Sequence, residues 1–195
     1  LTRPDPGTAR TFSIAGNNFK FLGNGCEGIT VSSGDTLNLN EIKEISSWKD
    51  DTAVINEGTV NIDGTITLED QLKGAGVYTN SGNLTVADAA KLQMTGTNGL
   101  QNIGIVNLGN ATNSVLGADI TGIGTTNING DVSSGKNIEN KVVIGTGKKL
   151  TNTGTISGAV ENKGTFITTA AGITGGVKNT GSLELTGTGD LGCSI

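Results

Sequence analysis

The sequence predicts an all-β solenoid, a parallel β-helix, and three observations point to it. A corner unit, Asn-x-Gly-x followed by an aliphatic or aromatic residue, recurs from about residue 54 onward. Self-similarity at spacings of this size is the mark of a stacked-coil architecture. Short segments that alternate apolar and polar residues follow the copies, such as Val60-Asn-Ile62, Thr65-Ile-Thr-Leu68, Leu84-Thr-Val86 and Leu183-Glu-Leu185. Composition is the third: 32 glycines and 3% aromatic residues in 195, yet 49 Ile, Leu, Val and Phe. That aliphatic content, about a quarter of the chain, is above the level at which no core forms.

Taken in chain order, the first segment reads as an appendage. Pro4 and Pro6 are the only prolines, so residues 1–10 read as an extended arm. Phe12 and Ile14, then Phe19 and Phe21, alternate with polar residues around Gly16-Asn17-Asn18, which is a hairpin signal. The division is therefore 1–22, an N-terminal arm with a Phe-rich strand or hairpin, and 23–195, one β-rich domain with Asn-x-Gly repeats from about 54. Ile42, Ile45 and Trp48 recur at three-residue spacing, so 41–52 is the one place a short helix or an irregular excursion fits.

The corner copies are Asn56/Gly58, Asn80/Gly82, Asn102/Gly104, Asn152/Gly154, Asn162/Gly164 and Asn179/Gly181, with a degenerate copy at Asn127-Ile-Asn129-Gly130. Most lie 17 to 25 residues apart, and the step from 152 to 162 reads as an insertion. Asn and Gly tolerate the left-handed backbone of a sharp corner. Asn stacked on Asn would form an amide ladder that satisfies its own donors and acceptors. A narrow interior favours aliphatic side chains over rings. The rival architecture is a two-sheet sandwich or jelly roll with an N-terminal donor strand, which also uses short strands and Gly-rich turns.

The chain has no His, which removes Ser-His-Asp and Cys-His nucleophile arrangements and His-ligated metal sites. Only Arg3 and Arg10 are arginines and the net charge is −5, so no nucleic-acid partner is expected. No apolar run reaches the roughly 20 residues of a membrane-spanning helix, so no membrane insertion is expected. Glu69-Asp70, Asp50-Asp51 and Glu41/Glu44 are the acidic pairs a glycosidase would need, with Trp48 and Tyr78 as the only sugar platforms beyond phenylalanine. They read as solvated surface charges, as does the doublet Lys148-Lys149. No catalytic, cofactor-binding or metal residue is assigned. Ca²⁺ is the one cation that Asp35, Asp63, Asp119, Asp131 and Asp190, each near a glycine, would suit. Gly122-Ile-Gly124 and Gly145-Thr-Gly147 read as turns, and Asn83-Leu-Thr85 and Asn110-Ala-Thr112 match the glycosylation sequon. Thr65-x-Thr67, Thr95-x-Thr97, Thr153-x-Thr155 and Thr186-x-Thr188 raise an ice-binding face as an alternative function.

Cys26 and Cys193 sit in turn-like contexts near opposite ends. A bridge between them would stabilise by about 4–5 kcal/mol through loop closure. Joining neighbouring subunits, or remaining two thiols, are the other options. Leu1 in place of an initiator Met fits an excerpt of a longer chain or a mature product freed of its signal. Composition favours the outside of a cell: 28 Thr, 21 Asn, a single Met and two Cys.

The recurring Asn-x-Gly-[Thr/Ser/Asn]-[Ile/Leu/Val] units over roughly 54–190 resemble the passenger regions of bacterial autotransporters and two-partner-secreted adhesins. The resemblance implies a right-handed parallel β-helix displayed at the cell surface in a structural or adhesive role, with no catalytic residues. The leading expectation is a non-enzymatic extracellular structural protein, a fibre, filament or adhesin subunit that forms homo-oligomers. Phe12, Ile14, Phe19 and Phe21 would cap their own fold or insert into a neighbour by strand addition. Its alternative is a carbohydrate-binding or polysaccharide-active module that meets host or environmental glycans.

Overall fold

The computed structural model describes residues 8–16, 19–96, 99–109, 114–188 and 194–195. The chain winds as a parallel β-solenoid with three faces; the first six turns lay one short strand on each face, and the later turns replace the first-face strand with a single bridge. The first turns are β1 (Thr11–Ala15), β2 (Lys20–Leu22) and β3 (Ile29–Val31), then β4 (Thr36–Asn40), β5 (Glu44–Ser46) and β6 (Thr52–Asn56). Next come β7 (Thr59–Asp63), β8 (Thr65–Leu68) and β9 (Gln71–Gly74), followed by β10 (Val77–Asn80), β11 (Asn83–Val86) and β12 (Leu92–Met94). The middle holds β13 (Leu100–Asn102), β14 (Ile105–Leu108), β15 (Ser114–Leu116), β16 (Ile120–Thr121), β17 (Thr125–Ile128) and β18 (Asp131–Ser134). The last turns are β19 (Lys141–Ile144), β20 (Lys149–Asn152), β21 (Val160–Asn162), β22 (Thr165–Thr169), β23 (Val177–Asn179) and β24 (Ser182–Thr186).

The second face is one sheet of nine strands from β2 to β23. The first face has six strands from β1 to β16, prolonged by single bridges Ile120–Ile138–Ile156–Ile173. The third face is split into β3-β6-β9-β12 and β15-β18-β20-β22-β24. At the split a 3-10 turn, Ala89–Lys91, holds the two halves together: Ala89 N–H donates to Ser114 Oγ at 2.7 Å, and that hydroxyl donates to Asp88. Every named strand pair is parallel, with a register shift at Thr52/Val54 where β6 meets β9, and this excludes the sandwich and jelly roll.

Alternation does the folding. On the first face Leu37, Val60, Tyr78, Leu100 and Ile120 align turn upon turn, all within 1% of complete burial. Residues between them face water. A one-residue slip would turn every one of these side chains outward, so the register is strongly held. Two rings enter this narrow core, and the phenol does so against expectation. Tyr78 crosses it and donates its hydroxyl to the Lys73 carbonyl on the third face at 2.9 Å, and Phe166 is fully buried.

One local expectation is corrected, and of the two alternatives for 41–52 the irregular excursion is the one that forms. Segment 11–22 is not a hairpin: β1 pairs in parallel with β4, and β2 with β5, on different faces. The alternation was real, but the Gly16 corner turns the chain onto the next face instead of reversing it. Segment 41–52 holds no α-helix; it carries β5 and a 3-10 turn at Lys49–Asp51. The three-residue spacing arose because Ile42 and Ile45, both buried, flank a corner, with Glu41 at φ 50 just before them.

Candidate functional site

Corners, outer faces and the two ends are where this scaffold meets anything else, and the corners explain the repeat. Asn-x-Gly marks three different corners instead of one per turn. Asn80 and Asn102 close first-face strands, Asn162 and Asn179 second-face strands, and Asn56 and Asn152 third-face strands. The step from 152 to 162 is therefore not an insertion, since those residues lie at the ends of β20 and β21 within the winding. Asn127 is no corner; it faces outward from β17. The missing copy is Asn140, fully buried, which lacks the glycine two residues later that would have flagged it.

The amide ladder forms in two pieces. Asn80 Nδ2 donates to Asn102 Oδ1 at 2.8 Å, and Asn102 Nδ2 to Asn140 Oδ1 at 2.7 Å. Asn162 Nδ2 donates to Asn179 Oδ1 at 2.7 Å. Asn56 and Asn152 instead bond to backbone, Asn56 Nδ2 to the Val77 carbonyl at 2.9 Å and Asn152 Nδ2 to the Gly154 carbonyl at 2.7 Å. Asn80 Oδ1 is buried without a partner, because its neighbour in the preceding turn is Ile62, which has no donor to offer.

The reason for the corner glycines is also corrected. None of Gly58, Gly82, Gly104, Gly154, Gly164 and Gly181 is among the described residues with positive φ. Close approach requires them. A Cβ on Gly82 would lie 2.1 Å from the Gly64 carbonyl oxygen, and one on Gly104 2.1 Å from that of Gly82. Successive turns touch backbone to backbone there, leaving no room for a methyl group.

The outer faces bring together residues that lie far apart in sequence. On the first face Thr11, Thr36 and Thr59 form one column, and Ser13, Asn38, Asn61 and Thr79 the next. Asn61 Nδ2 donates to Asn38 Oδ1 at 2.9 Å, and Asn38 Nδ2 to Ser13 Oγ at 3.2 Å. On the second face Asn127 donates to Asn107 at 2.8 Å and Asn107 to Asn83 at 2.7 Å. Of the Thr-x-Thr pairs, Thr65/Thr67 lies in β8, whereas Thr153/Thr155 falls at the turn between β20 and Ile156. Thr186 ends β24, and Thr97 lies outside the described residues.

Several of the acidic residues serve local contacts. Asp70, 5% exposed, accepts the Trp48 N–H at 2.8 Å; Asp51 pairs with Lys91 at 3.1 Å; Glu44 pairs with Lys20 at 2.6 Å. Lys20 foremost, then the Ser46 hydroxyl, hold the Glu44 carboxyl below its usual value. Asp35 is buried and clamped to Arg10, Asp63 accepts from Ser81 Oγ at 3.1 Å, and Asp119 accepts the Asn137 N–H at 2.9 Å. Asp190, Asn110 and Thr112 lie outside the described residues. Among the described residues no three acidic or cysteine side chains converge as metal ligands would. Tyr78 is no sugar platform, being wholly buried, with its phenol pushed far above the usual value by that burial. Trp48 is half-buried and packs edge-on to Phe21, ring centres 5.1 Å apart. Cys26 is exposed and free, and Cys193 lies outside the described residues.

The ends carry the terminal strands. Among the described residues, β1, β2 and β3 at the N-terminal end each have a partner on one side only. Phe12, Ile14, Phe21 and Ile29 lie half-buried on the core, and Phe19 and Leu22 are exposed. This turn is fastened to its own fold: Arg10 N–H and Nη2 donate to the buried Asp35 carboxylate at 3.1 and 2.9 Å, and the guanidinium lies over the Phe12 ring. Thr36 N–H donates to the Arg10 carbonyl at 2.8 Å. Phe12, Ile14 and Phe21 therefore cover their own core, while the Phe19 ring sits over Gly16. At the other end β23 and β24 are the last strands, with Leu183 half-buried and Leu185 39% exposed. Ser194 accepts the Val177 N–H at 2.9 Å, as Gly176 does from Val160 one turn earlier. The winding thus continues past β24 on the second face. No protein-family model, curated protein or solved structure matches the chain.

Proposed function

We propose that this chain is a non-enzymatic structural protein of the cell exterior, a subunit of a surface fibre, filament or adhesin built by end-to-end contact between solenoids. One observation carries the reading. Among the described residues, β1, β2 and β3 at one end and β24 at the other have no strand on their outer side, and they lie over half-exposed apolar side chains, Phe12, Phe21 and Ile29 at the first and Leu183 and Leu185 at the second. Unpaired edges are templates for further strand pairing, and head-to-tail contacts that do not close into a ring grow filaments. The Thr- and Asn-rich, Met- and Cys-poor composition supports the extracellular address. Electron microscopy and sedimentation of the purified chain test the proposal. Rods longer than one solenoid, growing with concentration, are expected; one monomeric species at every concentration rejects it.

A second reading is favoured by the stacked first-face columns Thr11/Thr36/Thr59 and Ser13/Asn38/Asn61/Thr79. Strand spacing sets such groups about 4.8 Å apart along the axis and roughly 6.7 Å apart across it, a regular polar lattice suited to ordering water at an ice surface. Thermal hysteresis at freezing, lost in Thr36→Tyr, is its expected sign.

A further inference from the structure

Resting on the reading of the chain as a subunit that joins end to end, we propose that the joint is a parallel strand pair between β24 of one copy and β3 of the next. The third face is where the two ends match. β24 and β3 are the terminal strands of the two third-face sheets, and neither has a partner on its outer side among the described residues. Leu183 stacks in register on buried Phe166, and Leu185 on buried Thr168, so both leucines stand on the core side. Ile29 and Val31 occupy the same side of β3, in register with buried Val54 and Asn56. A register that keeps the two core sides together sets Leu183 beside Ile29, Leu185 beside Val31 and, facing water, Glu184 beside Thr30. The half-exposed leucines would gain the apolar cover they lack, and both edges would gain main-chain hydrogen bonds.

The other faces are poorer joints. On the second face the Val177 N–H is already taken by Ser194, and a register chosen the same way sets Lys178 beside Lys20, like charge on like. On the first face the last turn offers, among the described residues, a single bridge at Ile173.

Charge along the axis selects a second copy in head-to-tail polarity. Residues 8–75 carry ten acidic and five basic side chains, whereas 132–188 carry three acidic and six basic. Two N-terminal ends meeting would bring negative against negative, and two C-terminal ends positive against positive. Only the N-to-C arrangement opposes the two signs. Salt with a screening length of about 8 Å weakens this preference without touching the strand pair.

The test is cross-linking in the full chain with Cys26→Ser and Cys193→Ser as background. Copies bearing Thr30→Cys are mixed with copies bearing Glu184→Cys and oxidised. A disulfide dimer containing one of each is expected, and neither variant alone should give it. In parallel, Leu185→Asp should lower the assembled fraction by about tenfold, a shift of about 1.4 kcal/mol in contact strength, while the far-ultraviolet dichroism stays that of the parent. Assembly that persists with Leu185→Asp, without the mixed cross-link, overturns this joint and leaves the end-to-end reading standing. A parent chain that never assembles overturns both.

Discussion

Asn102 donates its side-chain amide to Asn140 at 2.7 Å across two turns of the solenoid. The residue between them in the column is Gly122, whose lack of a side chain lets the two amides meet. Asn140 returns its own amide to the Gly122 and Thr121 carbonyls at 2.6 and 3.0 Å, and its oxygen also accepts from Thr126. Fully buried, it ties three turns together.

Replacing that residue should therefore be expensive. Asn140→Ala leaves the Asn102 amide and the Thr126 hydroxyl buried without this acceptor, at about 1–3 kcal/mol for each group left unsatisfied. Asn140→Asp should cost more, since a carboxylate would face the carbonyls that now accept from the amide. Urea unfolding midpoints measure both.

Gly104→Ala separates close approach from backbone freedom. The left-handed explanation predicts no penalty, because Gly104 is not among the positive-φ residues. The stacking explanation predicts a loss of about 1–3 kcal/mol, the usual range for overpacking, because the new methyl would press on the Gly82 carbonyl. Thermal melts of Gly104→Ala against Gly25→Ala decide between them: a Cβ at Gly25 meets nothing, but its φ is +77.

Tyr78 is the chain's only tyrosine, so its ionisation can be followed by absorbance without interference. Burial holds the phenol protonated in the folded chain well beyond the pH where free tyrosine ionises, near 10. With the folded value raised above the unfolded one, stability is full below pH 10 and declines above it, as the unfolded chain alone sheds the proton. Tyrosinate absorbance should therefore appear together with unfolding, in one step.

Acid acts through Glu161. Lys163 at 2.9 Å first, then Lys141 at 3.3 Å, hold its carboxyl below the usual 4.5. Glu44 is shifted in the same direction by Lys20. A lowered folded value means these contributions are complete above pH 4.5 and are lost as the pH falls below it. Glu161→Gln should flatten the acid limb of the melting temperature against pH and leave the neutral region nearly unchanged.

The winding was legible because side-chain alternation and the Asn-x-Gly unit are local. Leu84-Thr-Val86 has the same two sides whether or not its partners are known, and Gly82 two residues earlier announces the corner. The site was less legible. Phe12, Ile14 and Phe21 stood out as sticky, yet their alternation alone did not place them; pairing of β1 with β4 and of β2 with β5 lays them on the core of this chain. Asn140 was invisible because its glycine neighbour in space, Gly122, is 18 residues away in sequence. Thr11, Thr36 and Thr59 form no motif when read along the chain.

By itself the amino-acid order determined that the chain is all-β, that it turns every few residues, and that aliphatic side chains take one side of each strand, since all three follow from neighbours in the chain. Tertiary structure alone decided which of three corners each Asn-x-Gly occupies, that the glycines serve contact between turns, and which strands among the described residues stand at the ends. Those depend on how many residues each side of the coil consumes, and that number varies from turn to turn because only the stacked backbones, not the local sequence, impose the register.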